Sequence, residues 1–190
     1  MKAKRMIAAA LALAGASCVS RQSPHPDWPR AASLKSLSQL DGVYRGDSDD
    51  PRTGEPGKFP QPLYDFLKGE LGRTSKEGRE VELRASPDGK ELQIRLRDAR
   101  GKILATETLK ADQDFVLDQN SLALKTPGNL GESGITNLGI FAGDASSALR
   151  LSKSGSLLGY RSETGVGLFG FMIPIAASSS ERYHWPKLAR

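Results

Sequence analysis

The chain has 190 residues, a formal net charge of +5, one cysteine and two histidines. Lys2, Lys4 and Arg5 supply three of its 27 basic residues and no acid precedes Asp27, so the remainder sets 24 basic residues against 22 acidic ones. This balance excludes the basic footprint of a nucleic-acid-binding protein, and the single cysteine excludes an intramolecular disulfide.

Residues 1–17 predict an export signal. The basic start precedes an apolar run over residues 6–14, which is too short to span a bilayer as a mature helix. Ala14 and Ala16 form an Ala-x-Ala site, after which a general signal peptidase would leave Ser17 as the first residue. In that case we expect a soluble periplasmic or secreted protein.

The alternative processing site lies at Cys18. Residues 13–17 and this cysteine resemble the lipobox of bacterial lipoproteins, which implies a lipidated Cys18, and Val19 after it implies the outer membrane. Lipidation would also give the lone thiol a use, and two or more acyl chains anchor a protein stably. We therefore expect attachment to the outer membrane through an N-terminal lipid, with the protein facing the periplasm.

After the signal, the sequence divides into a tether and one domain. Residues 18–33 predict a lipid-anchored, Pro-rich tether, because three prolines without hydrophobic periodicity lie within them. Residues 34–190 predict a single β-rich domain.

Two short helices are predicted near the start of this domain. Ser33 is placed to cap the first, and residues 40–46 then predict the first strand. The second helix covers residues 61–71, with Pro62 in its first turn and Gly72 at its end. Its buried stripe is apolar: Leu63, Phe66, Leu67 and Leu71.

From residue 79 onwards the hydrophobic period changes to two. Apolar and charged residues alternate in residues 81–85 and 92–96, on either side of a turn at residues 86–89, which predicts a β-hairpin. Three further strands follow a turn at residues 99–102: residues 103–109, 115–117 and 122–125. The pattern is typical of an antiparallel meander with one face in water.

Residues 128–170 contain ten of the 20 glycines, and glycine within strands often marks bulges and tight bends. Five more strands are predicted in the second half: residues 134–141, 148–152, 156–163, 167–175 and 182–185. The fold class is therefore mainly β, a single antiparallel meander forming a small barrel or sandwich, with one short helix near residues 61–71.

No motif indicates a reaction, a cofactor or a metal. The glycines of residues 165–170 match the dinucleotide fingerprint formally, but an aromatic strand follows where that fingerprint needs a helix. The acids within residues 47–55 lack the spacing of a calcium loop and are interpreted as a solvated loop. His184 could serve a Ser-His-Asp arrangement, but no G-x-S-x-G elbow accompanies it, so we expect a strand residue with an ordinary partner.

A group of aromatic residues on predicted strands could line a ligand cavity if the sheet closes. The group comprises Tyr44, Tyr160, Phe169, Phe171 and Trp185. The alternative is that these side chains fill the core. Gly42-Val43-Tyr44 resembles the Gly-x-Trp opening of lipocalin-like proteins, with Tyr44 in the Trp position. The resemblance implies a β-barrel that binds a small apolar or lipid ligand.

These observations predict a lipid-anchored envelope protein with a non-catalytic, structural or assembly role. Its partners are the membrane, through the N-terminal lipid, and an envelope protein that would engage an exposed apolar or Gly-rich patch, for example within residues 128–143. The alternative is a lipocalin-like binder of a small apolar or lipid ligand. A hydrolase using His184 is a third hypothesis, which requires a serine and an acid within hydrogen-bond reach of that histidine.

Overall fold

The structure is a computed structural model, which describes residues 18–21, 30–49, 53, 55, 60–68, 80–118, 120–125, 134–136, 139–169 and 173–189. The chain divides into two compact units. One comprises Met1–Arg21, Pro127–Ala145 and Ser162–Glu181. The other, called the core unit here, comprises Gln22–Thr126, Ser146–Arg161 and Arg182–Arg190.

The described residues are mainly in β-strands, which confirms the predicted fold class. In chain order the strands are β1 (Cys18–Arg21), β2 (Gly42–Arg45), β3 (Glu80–Ala85), β4 (Glu91–Arg97), β5 (Ile103–Lys110), β6 (Phe115–Asp118), β7 (Ser121–Leu124), β8 (Gly134–Thr136), β9 (Gly139–Leu151), β10 (Leu157–Phe169) and β11 (Ile173–Trp185).

The strands form two sheets, and the described strands do not close into a barrel. One sheet is the antiparallel meander β2-β3-β4-β5. The other has the order β1-β11-β10-β9-β7-β6, with β8 paired to β9. The short β1, which covers the first four residues of the predicted tether, runs parallel to β11.

The predicted hairpins of the meander are confirmed. Gly89 and Gly101 take positive φ angles of 69° and 79° in the turns before β4 and β5, a conformation that glycine adopts without a steric penalty. Between these turns the alternation of apolar and charged residues places one row of side chains in the core and the next outside it.

The strand predicted at residues 167–175 is wrong. β10 continues to Phe169 and β11 begins at Ile173, so that run contains the end of one strand and the start of the next. The residues on both sides of this boundary are apolar, and Gly170 is the only turn signal between them. The hydrophobic pattern therefore does not show where one strand ends and the next begins.

The first predicted helix is a 3-10 helix whose N-cap is Ser36 and not Ser33, and the second begins at Leu63 rather than at residue 61. A 3-10 helix covers Leu37–Leu40, and the side-chain oxygen of Gln39 accepts a 3.1 Å hydrogen bond from the Ser36 amide at its start. Helix α1 covers Leu63–Lys68, immediately after Pro62. Residues 69–71 of the predicted helix lie outside the described residues. No helix in the described part of the chain combines the length and apolar character needed to cross a membrane.

In the core unit, the hydrophobic core forms where α1 packs against residues of the sheets. Phe66 of α1 lies 5.0 Å from the Trp185 ring and 5.6 Å from the Tyr183 ring, measured between centroids. A Cβ atom at Gly159 would lie 2.5 Å from the Trp185 ring, so only glycine lets β10 approach the indole this closely. The inward residues of the meander, such as Val81 and Ile94, complete this core.

The two edges of the meander differ. Beyond the end of β11, the segment of residues 186–188 pairs with β2: the Arg45 amide donates a 3.0 Å hydrogen bond to the Pro186 carbonyl, and the Leu188 amide donates a 2.8 Å bond to the Val43 carbonyl. The covered edge is thus β2. At the other edge, β4 is the only described strand that pairs with β5.

Candidate functional site

One polar cluster in the core unit joins the end of β11 to β2 and the loop that follows β2. The Asp49 carboxylate accepts a 2.7 Å hydrogen bond from His184 Nδ1 and a bond from the Arg45 guanidinium. The Asp49 amide also donates a 2.9 Å bond to the His184 carbonyl. Because a carboxylate only accepts, the proton of the imidazole lies on Nδ1. The cluster therefore ties β2 and β11 to the loop that carries Asp49.

Burial lowers the pKa of His184, and the charge of Arg45 lowers it further. The imidazole is therefore neutral at neutral pH, as a general base should be. Its Nε2 atom, however, is buried. A base that acts on a substrate must present this nitrogen, so the geometry favours a role in holding the segments together.

The hydrolase hypothesis required an acid beside His184, and Asp49 is that acid. Sequence reasoning assigned Asp49 to a solvated loop, whereas its side chain is buried and bonded at both oxygens. The only sequence signal was the presence of acids in a loop, and this does not say which acid meets a residue 135 positions away. Asp50, the next acid of that loop, lies outside the described residues.

Two of the aromatic residues predicted to line a cavity belong to the core. Tyr44 is fully buried and its hydroxyl donates a 2.8 Å hydrogen bond to the Leu40 carbonyl. Burial, together with the charge of Asp41, raises the pKa of Tyr44. Trp185 is also fully buried, and its Nε1 donates a 3.0 Å bond to the Gln61 carbonyl. Both side chains have their apolar surface packed and their polar atom satisfied.

The structure does not describe the other three predicted cavity residues as part of this core. Tyr160 is half-buried, with the guanidinium carbons of Arg150 and Arg182 lying 4.9 and 5.9 Å from its ring centroid. It therefore takes part in cation–π contacts. The side chain of Phe169 and the whole of Phe171 lie outside the described residues.

The open edge of the meander carries exposed apolar residues. Ile103 and Leu104 at the start of β5 are 45% and 39% exposed. Farther along, the Glu107 carboxylate accepts a 3.4 Å hydrogen bond from the Tyr64 hydroxyl and lies 3.6 Å from Lys68 Nζ. Helix α1 therefore contacts β5 through Glu107, and β4 is the only described strand that pairs with β5. The side chains of the Gly-rich patch proposed within residues 128–143 lie outside the described residues.

A second charged cluster lies on the face of the meander opposite the core. Glu82 is buried there among three arginines. Arg97 bonds its Oε2, Arg84 Nε donates to its Oε1 at 3.2 Å, and Arg95 Nη1 lies 3.6 Å from Oε2. Burial alone would raise the pKa of Glu82, but the Arg97 hydrogen bond and the charges of the three arginines bring it below its ordinary value.

Comparison of this chain with protein-family models, with curated proteins and with solved structures finds no match.

Proposed function

We propose that this protein is a non-catalytic assembly factor of the bacterial envelope, anchored through a lipid on Cys18, whose β5 edge binds an extended segment of a partner protein. The observation that carries the proposal is the edge strand β5, which pairs only with β4 among the described strands and has exposed Ile103 and Leu104 at its start; at its end, both backbone groups of Lys110 bond to Asp114. Edge strands of this kind are templates for a further strand.

Strand addition needs an edge that is accessible and held still. β5 is already paired with β4 from Ile103 to Lys110, so a peptide would not have to order it first. Main-chain hydrogen bonds would then supply affinity, and the alternating side chains of β5 would supply specificity. The exposed Ile103 and Leu104 favour a segment that is apolar where it meets the start of the strand.

The observed contacts of Tyr44, Trp185 and His184 support the two other hypotheses less well than strand addition. A lipocalin-like cavity would need the aromatic side chains to face a void, but Tyr44 and Trp185 are packed and hydrogen-bonded in the core. A hydrolase would need an accessible imidazole, and His184 Nε2 is buried. Strand addition at β5 requires neither a void nor a reactive base.

The edge interaction is tested by photo-crosslinking in living cells. A photoreactive amino acid replaces Leu104 in one variant and Val166, which is 64% exposed on β10, in the control. We expect one discrete protein adduct from position 104 that is absent from position 166. The partner identified in that adduct should then slow hydrogen exchange at the amides of Ile103–Lys110 when the two purified proteins are mixed. Equal labelling from both positions, or unchanged exchange in β5, would contradict the proposal.

The anchor is tested separately from the edge. Cells fed a fatty acid with an alkyne tag should label the wild-type protein, and Cys18→Ser should abolish both the label and sedimentation with membranes. Two or more acyl chains are enough for stable anchoring, so the difference should be close to all or none. A protein that carries no label, or a Cys18→Ser variant that stays with the membrane, would contradict lipidation at this residue.

A further inference from the structure

The cluster around Glu82 brings three arginines to one buried carboxylate, with Glu80 as a second acid on the same face of β3. In the register of β3 and β4, Glu82 lies directly opposite Arg95, and Glu80 lies opposite Arg97. Arg84 follows two residues after Glu82 on the same face of β3. One buried carboxylate therefore gathers three guanidinium groups.

The hydrogen-bonding capacity is unbalanced. Each guanidinium offers five N–H donors, whereas a carboxylate has about four acceptor sites. Arg97 Nε is buried and has no hydrogen-bond partner among the described residues. The donors of the three guanidinium groups therefore outnumber the acceptor sites of the Glu82 carboxylate, which bonds Arg84 and Arg97 and lies near Arg95.

The cluster is open to solvent on the side of two arginines. The side chains of Arg84 and Arg95 are 63% and 28% exposed, whereas Arg97 is nearly buried. An anion arriving from solvent would thus meet Arg84 and Arg95 first. Guanidinium groups bind phosphate oxygens with paired hydrogen bonds, and adjacent ones match a tetrahedral oxyanion better than a single ammonium group does.

We propose that Arg84 and Arg95, held in place by Glu82, form a binding site for a phosphate group on the outer face of the meander. The ligand is a phosphate-bearing molecule, either a free phosphate compound or the headgroup of an anionic lipid. The site is separate from the β5 edge, so it does not depend on the proposed strand addition.

The first experiment measures phosphate binding by calorimetry. The full chain carries Cys18→Ser, so that no acyl group contributes, and inorganic phosphate is titrated at constant ionic strength. The double variant Arg84→Gln/Arg95→Gln should weaken binding by about tenfold or more for each guanidinium removed. The matched control Lys90→Gln/Arg100→Gln removes two positive charges from exposed turn residues and should bind as the parent does. A parent that binds neither phosphate nor the vesicles described next, or binding that survives in the Arg84/Arg95 variant, overturns the proposal.

The source of the phosphate is decided with vesicles. The same proteins are sedimented with vesicles of phosphatidylcholine alone and of phosphatidylcholine with phosphatidylglycerol. Binding only to the anionic vesicles, lost in Arg84→Gln/Arg95→Gln but kept in the control, assigns the site to a lipid headgroup. Phosphate binding without vesicle binding assigns it to a free phosphate compound.

A third variant tests the site without depending on those two arginine changes. Glu82→Gln removes the internal carboxylate and leaves the three guanidiniums facing one another, so its melting temperature should fall. Phosphate should then raise the melting temperature of Glu82→Gln more than that of the parent, and chloride at equal ionic strength should not. An equal response to both salts indicates screening alone and overturns the proposal.

Discussion

The two edges of the meander differ although they belong to one sheet. β2 has four residues and is covered by residues 186–188, whereas β5 has eight and pairs only with β4 among the described strands. The covered edge is further fixed by the contacts of Asp49 with Arg45 and His184. An edge that its own chain completes contributes to stability, and an edge left open is suited to association. We therefore expect changes at β2 to alter unfolding and changes at β5 to alter binding.

The largest loss of stability at the covered edge should come from Trp185→Ala. This residue ends β11, immediately before the segment that pairs with β2. Removing a fully buried indole that packs on Phe66 should cost about 3–5 kcal/mol of unfolding free energy. Urea unfolding followed by circular dichroism measures it. Val166→Ala, at an exposed position, should change stability by less than about 0.5 kcal/mol. Similar losses in both variants would show that burial of Trp185 does not stabilise the covered edge.

Deleting residues 186–190 should uncover the β2 edge directly. The deletion removes the backbone bonds of Arg45 to Pro186 and of Leu188 to Val43, at about 1–3 kcal/mol together. Two open edges should also favour self-association, which sedimentation velocity detects. Lys187→Ala keeps both backbone bonds and serves as the control. A truncated chain that is as stable and as monomeric as this control would contradict the role given to the segment.

A smaller effect on stability is expected when the pH is lowered, because His184 lies at the covered edge. The folded-state pKa of His184 lies below its ordinary value of about 6.5, with Arg45 and Asp49 as its charged neighbours. The unfolded state therefore takes up the proton first as pH falls, so stability is complete above about pH 6.5 and declines from there toward the folded-state pKa. His184→Asn, whose amide can still donate to Asp49, should lack this part of the decline. Urea unfolding between pH 5 and 8 compares the two slopes, and equal slopes would contradict the assignment.

The smallest effect on stability should come from the open edge. Leu104→Lys places a charge on an exposed position of β5 and should change the free energy of unfolding by no more than about 0.5 kcal/mol. The same variant should lose the partner adduct, because charges on an edge strand oppose strand addition. Unfolding and crosslinking yields measured side by side separate the two outcomes. A large loss of stability would mean that this edge, like β2, supports the fold.

Local signals predicted much of the fold because they act over a few residues. The turn at residues 86–89 and the period-two pattern on either side specify the β3–β4 hairpin, and with it the pairing of Glu82 with Arg95. The break between β10 and β11 was missed, since an apolar run offers no period to interrupt. The excess of donors around Glu82 was also missed, because burial of that carboxylate is not visible in the alternation of the strand.

The sequence alone determined the strand class, the hairpin turns, the helix after Pro62 and the expectation of export, because each depends on neighbours along the chain. Tertiary structure decided that Asp49 meets His184, that residues 186–188 cover β2, and that Tyr44 and Trp185 belong to the core. These contacts join residues more than 100 positions apart, apart from that of Tyr44 with Leu40. No local propensity encodes such a meeting, because it depends on how the whole chain buries its apolar surface and satisfies its polar atoms.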